Sequence, residues 1–166
     1  MVAPTTIGTQ APRRILSIDG GGIKGTMPAA FLAALEEDLN EPIGRYFDLI
    51  AGTSTGGILA IGLALGIPAK ELLDLYVERG PTIFGQQEAL TGWRKRLAGL
   101  WAVGRHAVGP KHNANILRRE LSEILKGRRI GEAHTRLVIP AWDPDHRSVY
   151  LYKTAHHERI KTDYKK

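Results

Sequence analysis

The chain of 166 residues contains no cysteine, so neither a disulfide nor a thiolate-held metal can enter its fold or chemistry. That absence fits a reducing compartment. The first 12 residues hold no lysine or arginine and no long apolar core, which excludes a secretory signal of the usual kind. The longest greasy stretch, residues 58–67, is interrupted by Gly62 and Gly66 and is far shorter than the roughly 20 residues a bilayer-spanning helix needs. No group of histidines or carboxylates has metal-ligand spacing, so neither metal nor cofactor is expected. There is no internal repeat and no low-complexity tract. These absences together predict a cytoplasmic protein, soluble or at most peripheral to a membrane.

What is present suits one globular domain, with 43% hydrophobic and 24% charged residues. A chain this long buries roughly 70% of its unfolded surface, enough for a real core. We read residues 1–12 as an extension and residues 13–166 as belonging to one domain. The net charge is +6, unevenly spread. Residues 94–129 hold ten lysines or arginines against Glu120 and Glu123, a balance of +8 that leaves −2 for the rest.

Residues 13–18 (RRILSI) read as a short buried strand, followed by a tight loop at residues 19–22. A helix is predicted over residues 26–39, with Pro28 in its first turn and Met27, Ala30, Phe31, Ala34 and Leu35 as its apolar face. Residues 46–51 (YFDLIA) form a second strand, residues 52–56 a sharp turn, and residues 57–65 a helix apolar enough to be buried. The next helix, after Pro68, has Leu72, Leu73, Tyr76 and Val77 as its inner face. Residues 80–112 lose regularity and suggest a surface excursion or a short lid. Asn115 is placed to cap a helix carrying Leu117, Leu121, Ile124 and Leu125, closed by Gly127. Residues 136–142 and 148–154 read as strands around residues 143–147, whose turn chemistry favours a hairpin or a short connection. Strands alternating with helices predict an α/β fold with a largely parallel sheet.

Two segments carry chemistry. Gly52-Thr53-Ser54-Thr55-Gly56 matches G-x-S-x-G between a strand and an apolar helix, the setting of a nucleophile elbow. The glycines belong where a strained turn brings two backbones too close for a Cβ, and Ser54 is then thrust above the sheet at the positive end of a helix. The plainer alternative is a turn in which Ser54 only caps the helix. Asp19-Gly20-Gly21-Gly22-Ile23-Lys24-Gly25 is the second segment. Glycines at a strand-to-helix junction leave N–H groups bare, a nest for a phosphate or for the oxyanion of acyl transfer. Its G-x-G-x-x-G spacing (Gly20, Gly22, Gly25) also allows a dinucleotide site, but the acidic residue such a site wants after the second strand is replaced by the glycine turn. Lys24 precedes Gly25, so the phosphate-loop pattern fails as well.

Taken with their order and spacing, "SIDGGGIKGTMPAAFLAALE" and "YFDLIAGTSTGGILAIGLALG" resemble the patatin-like phospholipases. "GPKHNANILRREL" and "LVIPAWDPDHRSVYLYKTAHHERIKTDY" are similar to later stretches of that family, so the resemblance spans most of the chain after residue 12. It implies a three-layer sandwich around a mainly parallel sheet, and lipid acyl hydrolysis by a Ser–Asp dyad. Ser54 would be the nucleophile and Gly20, Gly21 and Gly22 the oxyanion hole. Lys24 stands where relatives commonly have arginine, keeping charge but losing a bidentate fork. Asp19 would orient the loop or simply cap the turn. The family's catalytic aspartate sits in a later Asp-Gly-Gly or Asp-Gly-Ala, and the one Asp-Gly here is Asp19-Gly20; we therefore read the chain as incomplete at its C-terminus and inactive alone. A histidine base (His106, His112, His134, His146, His156 or His157) is the chemical alternative, though each reads as a solvated surface residue.

Trp93, Arg94, Lys95, Arg96, Trp101, Arg105 and Lys111 mix cations with aromatics. They suit contact with an anionic lipid surface, or a solvated loop around two core tryptophans. No nucleic-acid-binding module is recognisable. The expected partner is a lipid or phospholipid substrate. Two other functions stay open: a non-catalytic anion- or nucleotide-binding module, and, from what the resemblance implies, a regulated lipase effector of bacterial defence.

Overall fold

The computed structural model describes residues 12–84 and 114–155. Strands β1 (Ile15–Ile18), β2 (Leu49–Gly52) and β3 (Arg136–Asp143) lie side by side and parallel, and β4 (Ser148–Lys153) pairs antiparallel with β3. The α/β class, the mainly parallel open sheet and the β3–β4 hairpin are those the sequence predicts. One detail of register positions the site. Ile15 pairs with Leu49 and Ile18 with Gly52, so β1 and β2 end level with each other. The loop after one and the turn after the other then leave the sheet at the same place, the carboxyl edge where parallel sheets bind ligands.

Helix α1 (Thr26–Leu39) ends at Asn40, which takes a left-handed φ of 49°, a common way to stop a helix. A short α2 (Ile43–Tyr46) precedes β2, and α3 (Thr55–Ala64) comes after it. Gly66, at φ 79°, reverses the chain into α4 (Ala69–Asp74), which runs on into a π-helical turn (Leu75–Arg79) and α5 (Gly80–Phe84). Helix α6 (Ala114–Leu125) shares a small apolar void with the neighbouring helices, lined by its Leu117 and Leu121 and by Leu75, Tyr76 and Ile83. The sequence of α3 is apolar all round, and accordingly it is buried on nearly every side. Leu59 and Leu63 meet Ile18, Ile50 and Leu137 of the sheet and Leu32, Leu72 and Tyr76 of the neighbouring helices in one core.

Several faces and ends differ from those that local periodicity predicts. The buried face of α1 is Ala29 and Leu32, with Ala33, Leu35 and Leu39 packed beside them, whereas Met27 is 82% and Phe31 66% exposed. Both stripes of this helix are apolar, so spacing alone cannot choose between them. Val77 lies outside the core because the π-helical turn adds a residue and rotates the positions after it. Tyr46 ends α2 rather than opening β2. The helix predicted to start at an Asn115 cap begins instead at Ala114, which puts Asn115 inside α6. The basic, tryptophan-bearing residues 93–111 lie outside the described residues, as do most of the predicted irregular segment and His156 and His157.

Polar groups pin these elements together. The Glu36 carboxylate accepts the Ile43 N–H at 3.1 Å and the Ala69 N–H at 3.2 Å, serving the first residues of α2 and α4 at once. Arg79 pairs with Glu120 and Glu123 of α6, and Arg128 donates to the Leu65 carbonyl at 2.8 Å. At the start of the sheet, Asp48 accepts the Arg14 N–H at 2.8 Å and the Arg13 guanidinium at 3.2 Å.

The bond from the Arg14 N–H, helped by Arg13, holds the Asp48 carboxyl below its ordinary range. A depressed carboxyl stabilises the fold above its unfolded value near 3.9 and loses that contribution as pH falls through the folded value. Asp48→Asn should therefore be less stable than the parent at pH 7, the gap closing as the solution is acidified. Urea midpoints of both proteins from pH 7 downward check this. A gap that does not change with pH would mean the carboxylate charge is immaterial.

Candidate active site

The elbow is built by close backbone approach. A Cβ on Gly52 would stand 2.3 Å from the Gly56 carbonyl oxygen, and one on Gly56 would stand 2.2 Å from that of Ile18 and 2.7 Å from that of Asp19. No side chain can occupy such gaps, so β2 can turn into α3 beside the end of β1 only with glycine at both positions. The Thr53 N–H donates to the Ile18 carbonyl at 3.2 Å, tying the turn to β1.

Between these glycines Ser54 adopts φ 52° and ψ −122°, a conformation that costs a non-glycine residue about 1–3 kcal/mol and concentrates at functional sites. It occupies the position just before α3, yet its hydroxyl makes no capping bond, and the residue is exposed. A serine kept only as a cap would bond the helix N–H groups. This one is held out from the turn at the positive end of a buried helix.

The glycine loop lies directly against it. A Cβ on Gly20 would meet the Thr53 carbonyl oxygen at 2.7 Å and the Ser54 Cβ at 2.8 Å. The sequence predicts bare loop amides, and for two of them this is corrected. The Gly20 N–H donates to Thr53 Oγ1 at 3.1 Å and the Gly21 N–H to Thr55 Oγ1 at 3.0 Å. Gly22, at φ 61°, then turns the chain into a short 3-10 turn ending at Gly25. The N–H groups of Gly22 and Ile23 stand at the head of that turn, where no carbonyl of the turn itself can take them. Lys24 and Asp19 are exposed on either side of the loop.

Tyr76 completes the arrangement. Its hydroxyl donates to the Thr55 carbonyl at 2.7 Å, and its ring fills the space over Gly25, where a Cβ would lie 2.6 Å from Cε1. Burial pushes its phenol well above the ordinary value, so it stays protonated as a donor. Sequence reasoning places Tyr76 in the core and gives Thr53 and Thr55 no role. The available signal is that both free positions of G-x-S-x-G hold a hydroxyl-bearing residue.

Two of the candidate histidines are described. The His134 N–H bonds the Ala64 carbonyl at 2.7 Å, at the far end of α3 from Ser54, about 15 Å along its axis. His146 pairs through Nδ1 with Asp143 at 2.8 Å across the β3–β4 turn. A cavity of about 420 Å³ lies along α6, lined by Leu117, Leu121, Leu125 and Arg128 among others, and includes no residue of the elbow or glycine loop. Among the described residues no group of three or more metal-ligating side chains is placed to hold an ion, and no helix is long and apolar enough to cross a membrane.

A serine on a strained strand-to-helix turn, beside a glycine loop at the carboxyl edge of a parallel sheet, places the chain in the class of α/β proteins with a G-x-S-x-G turn between strand and helix. The chain belongs to the patatin-like phospholipase family, whose model matches residues 16–164. It is 38% identical over 151 residues to the cGAMP-activated phospholipase of Pseudomonas aeruginosa, covering 91% of this chain and 42% of that protein. It is also 38% identical over 142 residues to patatin-like protein 2 of Oryza sativa subsp. indica, covering 78% of this chain and 34% of the rice protein. In fold it is similar to VipD from Legionella pneumophila, with a TM-score of 0.50 at 12% identity over 93% of this chain and 41% of the VipD chain. The chain thus spans less than half the length of these relatives.

Proposed function

We propose that the protein containing this chain is a lipid acyl hydrolase with Ser54 as its nucleophile. The observation that carries the proposal is Ser54 itself: exposed, at φ 52°, making no capping bond, with Gly20 packed on its Cβ. Ser54 Oγ attacks the acyl carbonyl, and its proton passes to an aspartate supplied by a part of the protein beyond this chain. The oxygen that becomes negative is received by the loop of Gly20, Gly21 and Gly22, with the Gly22 N–H the best-placed donor because Gly20 and Gly21 already donate to threonines. Lys24 adds positive charge at the rim. The tetrahedral adduct expels the alcohol, which takes the proton back, and water then cleaves the acyl-serine by the same route.

Family membership and the phospholipase relative support lipid as the substrate class. The competing reading is an anion- or nucleotide-binding module without catalysis, using the same loop. The full-length protein, assayed with and without cGAMP because of the regulated relative, should release p-nitrophenol from a p-nitrophenyl acyl ester and fatty acid from phospholipid vesicles. Nucleotide binding with no release from either substrate would favour the module.

A further inference from the structure

We infer that Thr53 and Thr55, on either side of Ser54, are positioning residues that hold the oxyanion loop in register with the nucleophile. The inference rests on the hydrolase reading above and adds to it how the loop is aimed.

The loop is fastened to the elbow in sequence order, Gly20 N–H on Thr53 Oγ1 at 3.1 Å and Gly21 N–H on Thr55 Oγ1 at 3.0 Å. Consecutive amides on a pleated chain ordinarily point to opposite sides, so drawing both toward one turn fixes the backbone on each side of them. The Gly22 N–H lies in the peptide plane that joins it to Gly21, whose backbone is at φ 177° and ψ 17°, and the chain turns only after it, at the Gly22 φ of 61°. The direction of the Gly22 amide is therefore set by where the two threonine hydroxyls hold its predecessors.

The two threonines differ in how firmly they are held. Thr55 is 3% exposed, and its carbonyl accepts the Tyr76 hydroxyl at 2.7 Å. Tyr76, itself 1% exposed, also packs its ring on Gly25 at the far end of the same loop. Loop, elbow and the π-helical turn bearing Tyr76 are thus joined by four contacts. A donor serves a developing oxyanion only when held within about 0.5 Å of its place, a tolerance that a glycine-rich loop would not keep unaided.

The test uses Thr55→Val, which keeps shape and removes the hydroxyl, Thr55→Ser, which restores it, and Thr53→Val at the exposed position, which can be made even where the buried variant fails to fold. Each is assayed in the full-length protein for kcat and KM per folded molecule, and for inhibition by an alkyl trifluoromethyl ketone, whose serine adduct places an oxyanion in the hole. We expect Thr55→Val to lower kcat about 10- to 100-fold with KM within about twofold, and to weaken the ketone by a similar factor. Thr53→Val should show the same pattern more mildly, and Thr55→Ser should recover most of the activity. Valine variants that lose thermal stability but keep kcat and ketone affinity would overturn the inference while leaving the nucleophile assignment intact. A parent protein with no ester hydrolysis under any condition would overturn the hydrolase reading and this inference with it.

Discussion

Ser54→Ala is expected to reduce ester hydrolysis by the full-length protein by about four to six orders of magnitude, the scale seen when a hydrolase loses its nucleophile. The reduction should fall on kcat, since the hydroxyl forms a bond only in the chemical step. The structure adds a second expectation that a mere loss of activity would not carry. Ser54 sits at φ 52° and ψ −122°, and alanine inherits that strain whereas glycine does not. Ser54→Gly should be as inactive as Ser54→Ala yet more stable than it by about 1 kcal/mol, read from denaturant midpoints. Relief of strain with no return of activity is what a residue kept for chemistry rather than for folding produces. Equal stability of the two variants would mean that the turn relaxes around position 54 and stores no strain.

The second large effect concerns Gly56. A Cβ there would lie 2.2 Å from the Ile18 carbonyl oxygen and 2.7 Å from that of Asp19, and backbone cannot yield as the tip of a side chain can. Gly56→Ala must either push α3 off β1 or break the turn. We expect a loss of about 4 kcal/mol or more, enough to consume most of the roughly 5–15 kcal/mol that holds a typical domain together. Gly127→Ala is the control. It stands at φ 72° with nothing within 4 Å of an added Cβ, so it meets only backbone strain, about 1–2 kcal/mol. Soluble yield and urea midpoints of the two variants separate close approach from conformational preference. If Gly56→Ala were no worse than Gly127→Ala, the intimate contact between elbow and β1 would be wrong.

The elbow is plain in the sequence because its causes are local. Glycine at positions 52 and 56, an apolar run after them and a short apolar strand before them read as a tight strand-to-helix turn whether Ser54 is a nucleophile or a cap. The β3–β4 hairpin is legible for the same reason, from the Asp-Pro-Asp turn chemistry at residues 143–145. The features that escape depend on partners distant along the chain. Gly20 and Gly21 are not bare because of hydroxyls 33 and 34 residues away, and Tyr76 gains its role through a π-helical turn that no periodicity announces. The face of α1 is ambiguous because Met27 and Phe31 offer as good an apolar stripe as Ala29 and Leu32. Which stripe is buried is decided by α4 and the core, which sequence spacing does not report.

The proposed chemistry turns on Ser54 carrying a reactive hydroxyl. The most direct measurement is to treat the full-length protein with a fluorophosphonate, digest it and find the labelled residue by mass spectrometry. A single phosphonate on Ser54, absent from Ser54→Ala and formed in step with loss of esterase activity, is the predicted result. An active protein labelled at another residue, with Ser54 unmodified, would contradict the account.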